Sequence, residues 1–250
     1  PSHASDVIQL KKASDVALYK AKEAGRNCFR LFDNEQNVDS DYFDENLQLK
    51  YQPIISSTSL DLVGVEILTQ VLGSERYGGM KEALDHFRKV GQIRYFEEAL
   101  CKKLSHDIGK LPEGTTKGFK LFLNQNIQEL ILGEHVRDLL QLNDKLQQQN
   151  VVLVVELDGW ERLNSKNNFL KPLNILAAGG IELCFQDVGA KAIPTFLMES
   201  ICLSYVKLAM PLVSLITIDN VSRVIGKSIC EIANQTGSHV IAVGVESQTQ

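Results

Sequence analysis

The feature that most constrains this chain is a repeated pair of signals, a short β-like run, apolar throughout in the central ones, followed by a longer helical stretch. The runs LQLKYQPII (Leu47–Ile55), LVGVEILTQV (Leu62–Val71), GFKLFLNQN (Gly118–Asn126), VVLVVEL (Val151–Leu157), GIELCFQDV (Gly180–Val188), YVKLAM (Tyr205–Met210) and HVIAVGV (His239–Val245) read as strands. Helices are expected over Lys81–Ile108, Gln128–Gln148, Leu170–Ala178, Ala192–Glu199 and Asn220–Thr236. Strands without polar alternation must be covered on both faces, which parallel strands joined by crossover helices achieve. The pattern leaves an α/β barrel or a doubly wound sheet.

The polar residues favour the barrel. Asn124, Glu156, Asp187 and Glu246 each fall at or just past the C-terminal end of a predicted strand, where a barrel assembles its site from several loops. Any one of them serves equally well as a cap for the next helix. It is the recurrence after successive strands that carries the reading.

Composition narrows the function classes. A 250-residue chain that is 44% hydrophobic has ample core material. A net charge of -5 offers no long-range attraction to a polyanion, so direct nucleic-acid binding is not expected. The five cysteines are odd in number, widely spaced and mostly set in apolar segments, the pattern of buried free thiols in a reducing cytoplasm. The longest apolar stretch, Val206–Ile218, is shorter than the ~20 residues of a membrane span and is broken by Lys207 and Pro211. A cytoplasmic location follows, as a free protein or as the cytoplasmic part of a membrane-anchored one.

The N-terminal region reads differently. Ser5–Ala24 is an amphipathic helix with Ala13, Val16, Ala17 and Ala21 on one stripe, and its lysines form a solvated face. Asn27–Phe32 reads as a short strand, and the acidic run Asp33–Glu45 as a linker holding little to bury, with a helical continuation. The chain opens without an initiator Met and stops at Gln250 just after a strand-like run, so it is read as a piece of a longer protein.

Two segments together carry a specific resemblance. LKKASDVALYKAKEAGRNCFRLFD (Leu10–Asp33) resembles the closing helix and strand of the GGDEF, or diguanylate cyclase, family. The part from about Phe43 to the end resembles the EAL phosphodiesterase family through an ordered series of motifs: YQPI from Tyr51, GVEIL from Gly64, LFLNQN from Leu121, VVEL from Val154, FQDVG from Phe185, YVKLAM from Tyr205 and VIAVGVES from Val240. The resemblance implies an α/β fold, a modified TIM-type barrel with one antiparallel strand, preceded by a helix-strand remnant of a GGDEF domain. It divides the chain into a GGDEF tail (1–35), a linker (36–46) and an EAL-like domain (47–250) that lacks the last strand and helix.

The resemblance also implies a chemistry and a test of it. EAL enzymes hydrolyse cyclic-di-GMP with divalent cations, usually Mg2+ or Mn2+, which need oxygen ligands converging from several strand ends. Carried over by position, the ligand residues Glu66, Asn124, Glu156 and Asp187 are retained. Family carboxylates are lost at Gln186, Ala209 and Val243, leaving a neutral carbonyl at the first and no donor at the other two. No metal, no cofactor and no hydrolysis are expected, with Mg2+ or Mn2+ required only in a working enzyme.

Binding is a separate matter. Gln70 stands where the family has a phosphate-gripping Arg, and Gly159 where it has a Glu anchoring the loop Val188–Lys191. The residues expected to line a nucleotide pocket are Gln52, Glu66, Ile67, Leu68, Asn124, Asp187 and Lys207, with Trp160 as a stacking or packing residue. Lys207 is expected to pair internally with Asp187 or Glu66. The implied function is a cyclic-di-GMP receptor in bacterial biofilm or motility signalling, as in LapD-like proteins. The alternatives are a nucleotide-independent scaffold of the CsrD type acting in RNA turnover and, after it, a working metal-dependent cyclic-di-GMP phosphodiesterase. Expected partners are the upstream GGDEF domain, a second copy of the chain and a further protein.

Overall fold

The computed structural model describes residues 7–23, 29, 40–110, 118–132, 134–159, 170–190 and 201–247. They contain helices α1 (Val7–Glu23), α2 (Ser40–Asn46), α3 (Met80–Lys89), α4 (Ile93–Ile108), α5 (Ile127–Leu132), α6 (Glu134–Gln147), α7 (Leu170–Ala178), α8 (Met210–Leu215) and α9 (Asn220–Thr236). The strands are β1 (Leu47–Ile55), β2 (Leu62–Val71), β3 (Phe119–Asn126), β4 (Val151–Asp158), β5 (Glu182–Val188), β6 (Tyr205–Leu208) and β7 (His239–Ala242).

The seven strands form one sheet in chain order, and β2 to β7 pair in parallel. Ser56 bonds Asp61 at one end of the β1–β2 hairpin and Leu72 bonds Asn46 at the other, so β1 runs against β2. Phe122, Val154, Cys184 and Tyr205 pack together with Ile54 of β1 and Ile241 of β7 against them. First and last strands feed one cluster, and the sheet therefore curls into a half-barrel whose concave face is filled by side chains. Gly64 permits the close approach of β2 to β3, because a Cβ there would lie 2.2 Å from the Lys120 carbonyl oxygen.

Two compact units are present, one of Pro1–Lys50 with Thr69–Leu104 and one of Tyr51–Leu68 with Ser105–Gln250. The first is centred on Phe43, which is fully buried with ring centroids 5.1 Å from Phe87 and 5.8 Å from Phe96. This corrects the expectation that Asp33–Glu45 holds little to bury: α2 presents its one Phe to an aromatic cluster while its acids face water. The second unit contains the concave face.

Several expectations change in detail. The stretch Lys81–Ile108 is two helices, broken where Gly91 takes a φ of 72°. YVKLAM is strand only to Leu208, because Ala209 turns the chain and Pro211 starts α8 at a position where its missing N–H is harmless. By contrast α9 spans the expected residues, with the Asp219 side chain accepting from the Ser222 N–H and Gly237 closing the helix in the left-handed region. Of the cysteines, Cys184 is buried and Cys101 half-buried, but Cys202 and Cys230 are exposed, so burial does not extend to them. The helix expected at Ala192–Glu199, Cys28, Trp160 and Lys191 lie outside the described residues, as does the strand Asn27–Phe32 apart from Phe29. No helix among the described residues is long and apolar enough to cross a membrane.

Candidate functional site

Side chains alternate across a strand, so the residues sharing the concave face can be followed along each one: Glu66 on β2, Phe122 and Asn124 on β3, Val154 and Glu156 on β4, Cys184 on β5, Tyr205 and Lys207 on β6. The C-terminal strand ends gather four of the predicted site residues. The Lys207 ammonium donates to Glu66 Oε2 at 2.7 Å and forms a second ion pair with Glu156 Oε1. Asn124 Nδ2 donates to Glu66 Oε1 at 3.3 Å. Phe122 lies below, its ring centroid 5.6 Å from the ammonium.

This cluster is buried. Glu156 is fully buried and Lys207 is 4% exposed. Burial works against the charge of Lys207, but Glu156 and Glu66 outweigh it and raise its pKa above the ordinary lysine value. Burial pushes the Glu156 carboxyl up to about 7, opposed by the Lys207 charge and reinforced by that of Glu66. Glu156 Oε2 and Asn124 Oδ1 are buried without a hydrogen-bond partner.

The other predicted residues do not join this cluster. Gln52 is exposed on β1, Leu68 is exposed on β2, and Ile67 is buried on the face of β2 opposite Glu66. A register shift between Phe185 and Val188 re-aims the end of β5, where Asp187 takes a φ of 58° and is exposed while Gln186 is half-buried. Ala209 is buried and its amide donates to the Val188 carbonyl at 2.9 Å, a purely backbone role. Val243 is half-buried and Glu246 exposed beyond β7, and Gln70 is half-buried near the end of β2. Gly159 takes a φ of 74°, where an added Cβ would meet the Asn126 amide at 3.1 Å, so the backbone itself disfavours the family's Glu at this position.

Two features escaped the sequence reading. Glu156 is a direct partner of Lys207 as well as Glu66, a contact set by strand order rather than local spacing. A second ion pair lies at the opposite end of the concave face, where Lys120 Nζ donates to both Glu182 oxygens at 2.8 and 2.9 Å beside the Tyr205 ring.

The donor set is a poor match for a pair of hard divalent ions. Such ions require several anionic oxygens each, and here two carboxylates already share an ammonium while Ala209 and Val243 supply no donor. Among the described residues no group of three or more His, Cys, Asp or Glu side chains could hold a metal. What the arrangement offers is a polar, partly anionic floor with two buried acceptors that lack a hydrogen-bond partner, Asn124 Oδ1 and Glu156 Oε2, at the strand ends of the half-barrel.

The EAL domain family model matches residues 37–250. A probable cyclic di-GMP phosphodiesterase, PdeG, of Escherichia coli is 23% identical over 203 residues, covering 80% of this chain but only 40% of the relative's length. Among solved structures, the PaMucR phosphodiesterase in complex with c-di-GMP superposes with a TM-score of 0.67 at 18% identity, covering 82% of this chain and 87% of that one. The Klebsiella pneumoniae BlrP1 complex with calcium and c-di-GMP gives 0.65 at 21% identity, covering 82% and 50%. At these identities the structural likeness shows a shared fold.

Proposed function

The chain belongs to the EAL domain family, and from that premise we propose that it is a non-catalytic member, one that takes cyclic-di-GMP as a signal and does not hydrolyse it. One observation carries this reading: the Lys207 ammonium lies between Glu66 and Glu156, while the lost carboxylate positions Gln186, Ala209 and Val243 add no charge to the same strand ends. Removing several charge-stabilising groups from one site costs many orders of magnitude in rate. Recognition is less demanding, because it needs hydrogen-bonding partners at the polar mouth and no stabilisation of a transition-state charge. The likeness to c-di-GMP complexes supports the choice of ligand. The proposed nucleotide-facing residues are Gln52, Glu66, Leu68, Asn124, Asp187 and Lys207, with Ile67 contributing through its backbone.

Calorimetric titration with cyclic-di-GMP, with and without Mg2+, tests the proposal. Saturable heat that is independent of the metal is expected. Absence of heat at high ligand concentration would refute the receptor reading.

A second reading, a scaffold for protein contacts, is favoured by exposed apolar side chains at Met210, Leu215, Ile218, Val221 and Val224, on and between α8 and α9. It predicts capture of the same partner with or without nucleotide. The proposed division into a GGDEF tail before residue 36, a linker to residue 46 and the EAL-like remainder places either activity within a larger cytoplasmic signalling protein.

A further inference from the structure

A cation that tied Glu66 to Glu156 would have to sit where Lys207 Nζ sits. The ammonium is within bonding range of both carboxylates, is held from below by the Phe122 ring and is almost sealed from water. Glu66 Oε1 is engaged by the Asn124 amide. The oxygens left over are Asn124 Oδ1 and Glu156 Oε2, two donors where an octahedral ion such as Mg2+ asks for about six at about 2.1 Å. Like charges a few ångströms apart in a buried setting repel strongly, so a divalent ion cannot share the position between Glu66 and Glu156 that this ammonium holds.

We infer that Lys207 is the resident cation of this mouth: its ammonium takes the place of a divalent ion between Glu66 and Glu156 and ties β2, β4 and β6 together without metal. The corollary concerns what lies beneath it. Removing the ammonium frees Glu66 Oε2 and Glu156 Oε1, which join Asn124 Oδ1 and Glu156 Oε2 as oxygens converging from three strands. A divalent ion then becomes the natural replacement.

This inference rests on the mouth being a depleted metal site and not on nucleotide binding, so failure to bind cyclic-di-GMP would leave it standing. The test is thermal unfolding of the whole chain in EDTA and in millimolar Mn2+ or Mg2+. The melting temperature of the wild type is expected to be the same in all three. Lys207→Met is expected to melt lower in EDTA by on the order of 10 °C, the scale for stranding a buried charge, and to recover at least half of that loss in Mn2+. Glu156→Gln in the same background is expected to remove the recovery, a readout that loss of packing alone would not move.

If Lys207→Met does not fold, Mn2+ paramagnetic resonance on the wild type still decides. A full free-ion signal with protein in excess supports the inference. Bound Mn2+ that Glu66→Gln releases overturns it, as does a metal-induced rise in the wild-type melting temperature or a folded Lys207→Met that metal does not stabilise.

Discussion

At the N-terminal end of the concave face one lysine meets one glutamate, and at the C-terminal end one lysine meets two. Lys120 and Glu182 form a bidentate pair, with side chains 20% and 29% exposed and both carboxylate oxygens engaged. Lys207, Glu66 and Glu156 form a cluster with one carboxylate in excess, Glu156 wholly buried and two acceptor oxygens unmatched. A pair retained only to hold strands together is expected to be balanced, since unmatched buried polar atoms cost stability. The imbalance falls at the strand ends where barrels build their sites, the end to which the proposed ligand is assigned.

Substitutions can break this contrast. Lys207→Met should have the largest effect, about 3–5 kcal/mol in chemical denaturation, because it strands a fully buried carboxylate. Lys120→Met should cost clearly less, about 1 kcal/mol, because water still reaches Glu182. Equal costs would end the distinction between the two ends. Gly64→Ala should fall between them at about 1–3 kcal/mol, since β2 must move off β3 to clear the Lys120 carbonyl. It should also weaken cyclic-di-GMP binding in calorimetry by displacing Glu66.

The smallest effect is on pH dependence. Glu156 titrates at about 7 in the folded chain against an ordinary value of 4.5, so between these values the folded state holds more protons and stability falls as pH rises. His135, buried and lowered from 6.5 to about 4, acts in the opposite direction: the unfolded state holds more protons and stability rises with pH. The two slopes offset one another in the wild type between about pH 4.5 and 6.5. In Glu156→Gln only the rising slope should remain, visible as an increase in the denaturation midpoint across that range.

How much of this was readable in advance depended on whether a signal was local. VVLVVEL and the helix Asn220–Thr236 carry their own signals, an unbroken apolar run in one and matched caps in the other. The gathering of Glu66, Asn124, Glu156 and Lys207 was legible only in part, because strand-end position is visible in sequence while the partner across the sheet is not. The Lys120–Glu182 pair was missed for that reason. Phe43 was missed because one aromatic in an acidic run carries no periodicity, and the exposure of Asp187 because a bulge shifts the alternation that would otherwise orient it. Met210 was assigned to a strand because an apolar run does not announce its end, although Pro211 marked the start of the next helix.

Chromatography of cyclic-di-GMP incubated with the chain and Mn2+ tests the central claim most directly. No linear dinucleotide above the level formed by Glu66→Ala is expected. Metal-dependent product formation that Glu66→Ala abolishes would contradict it.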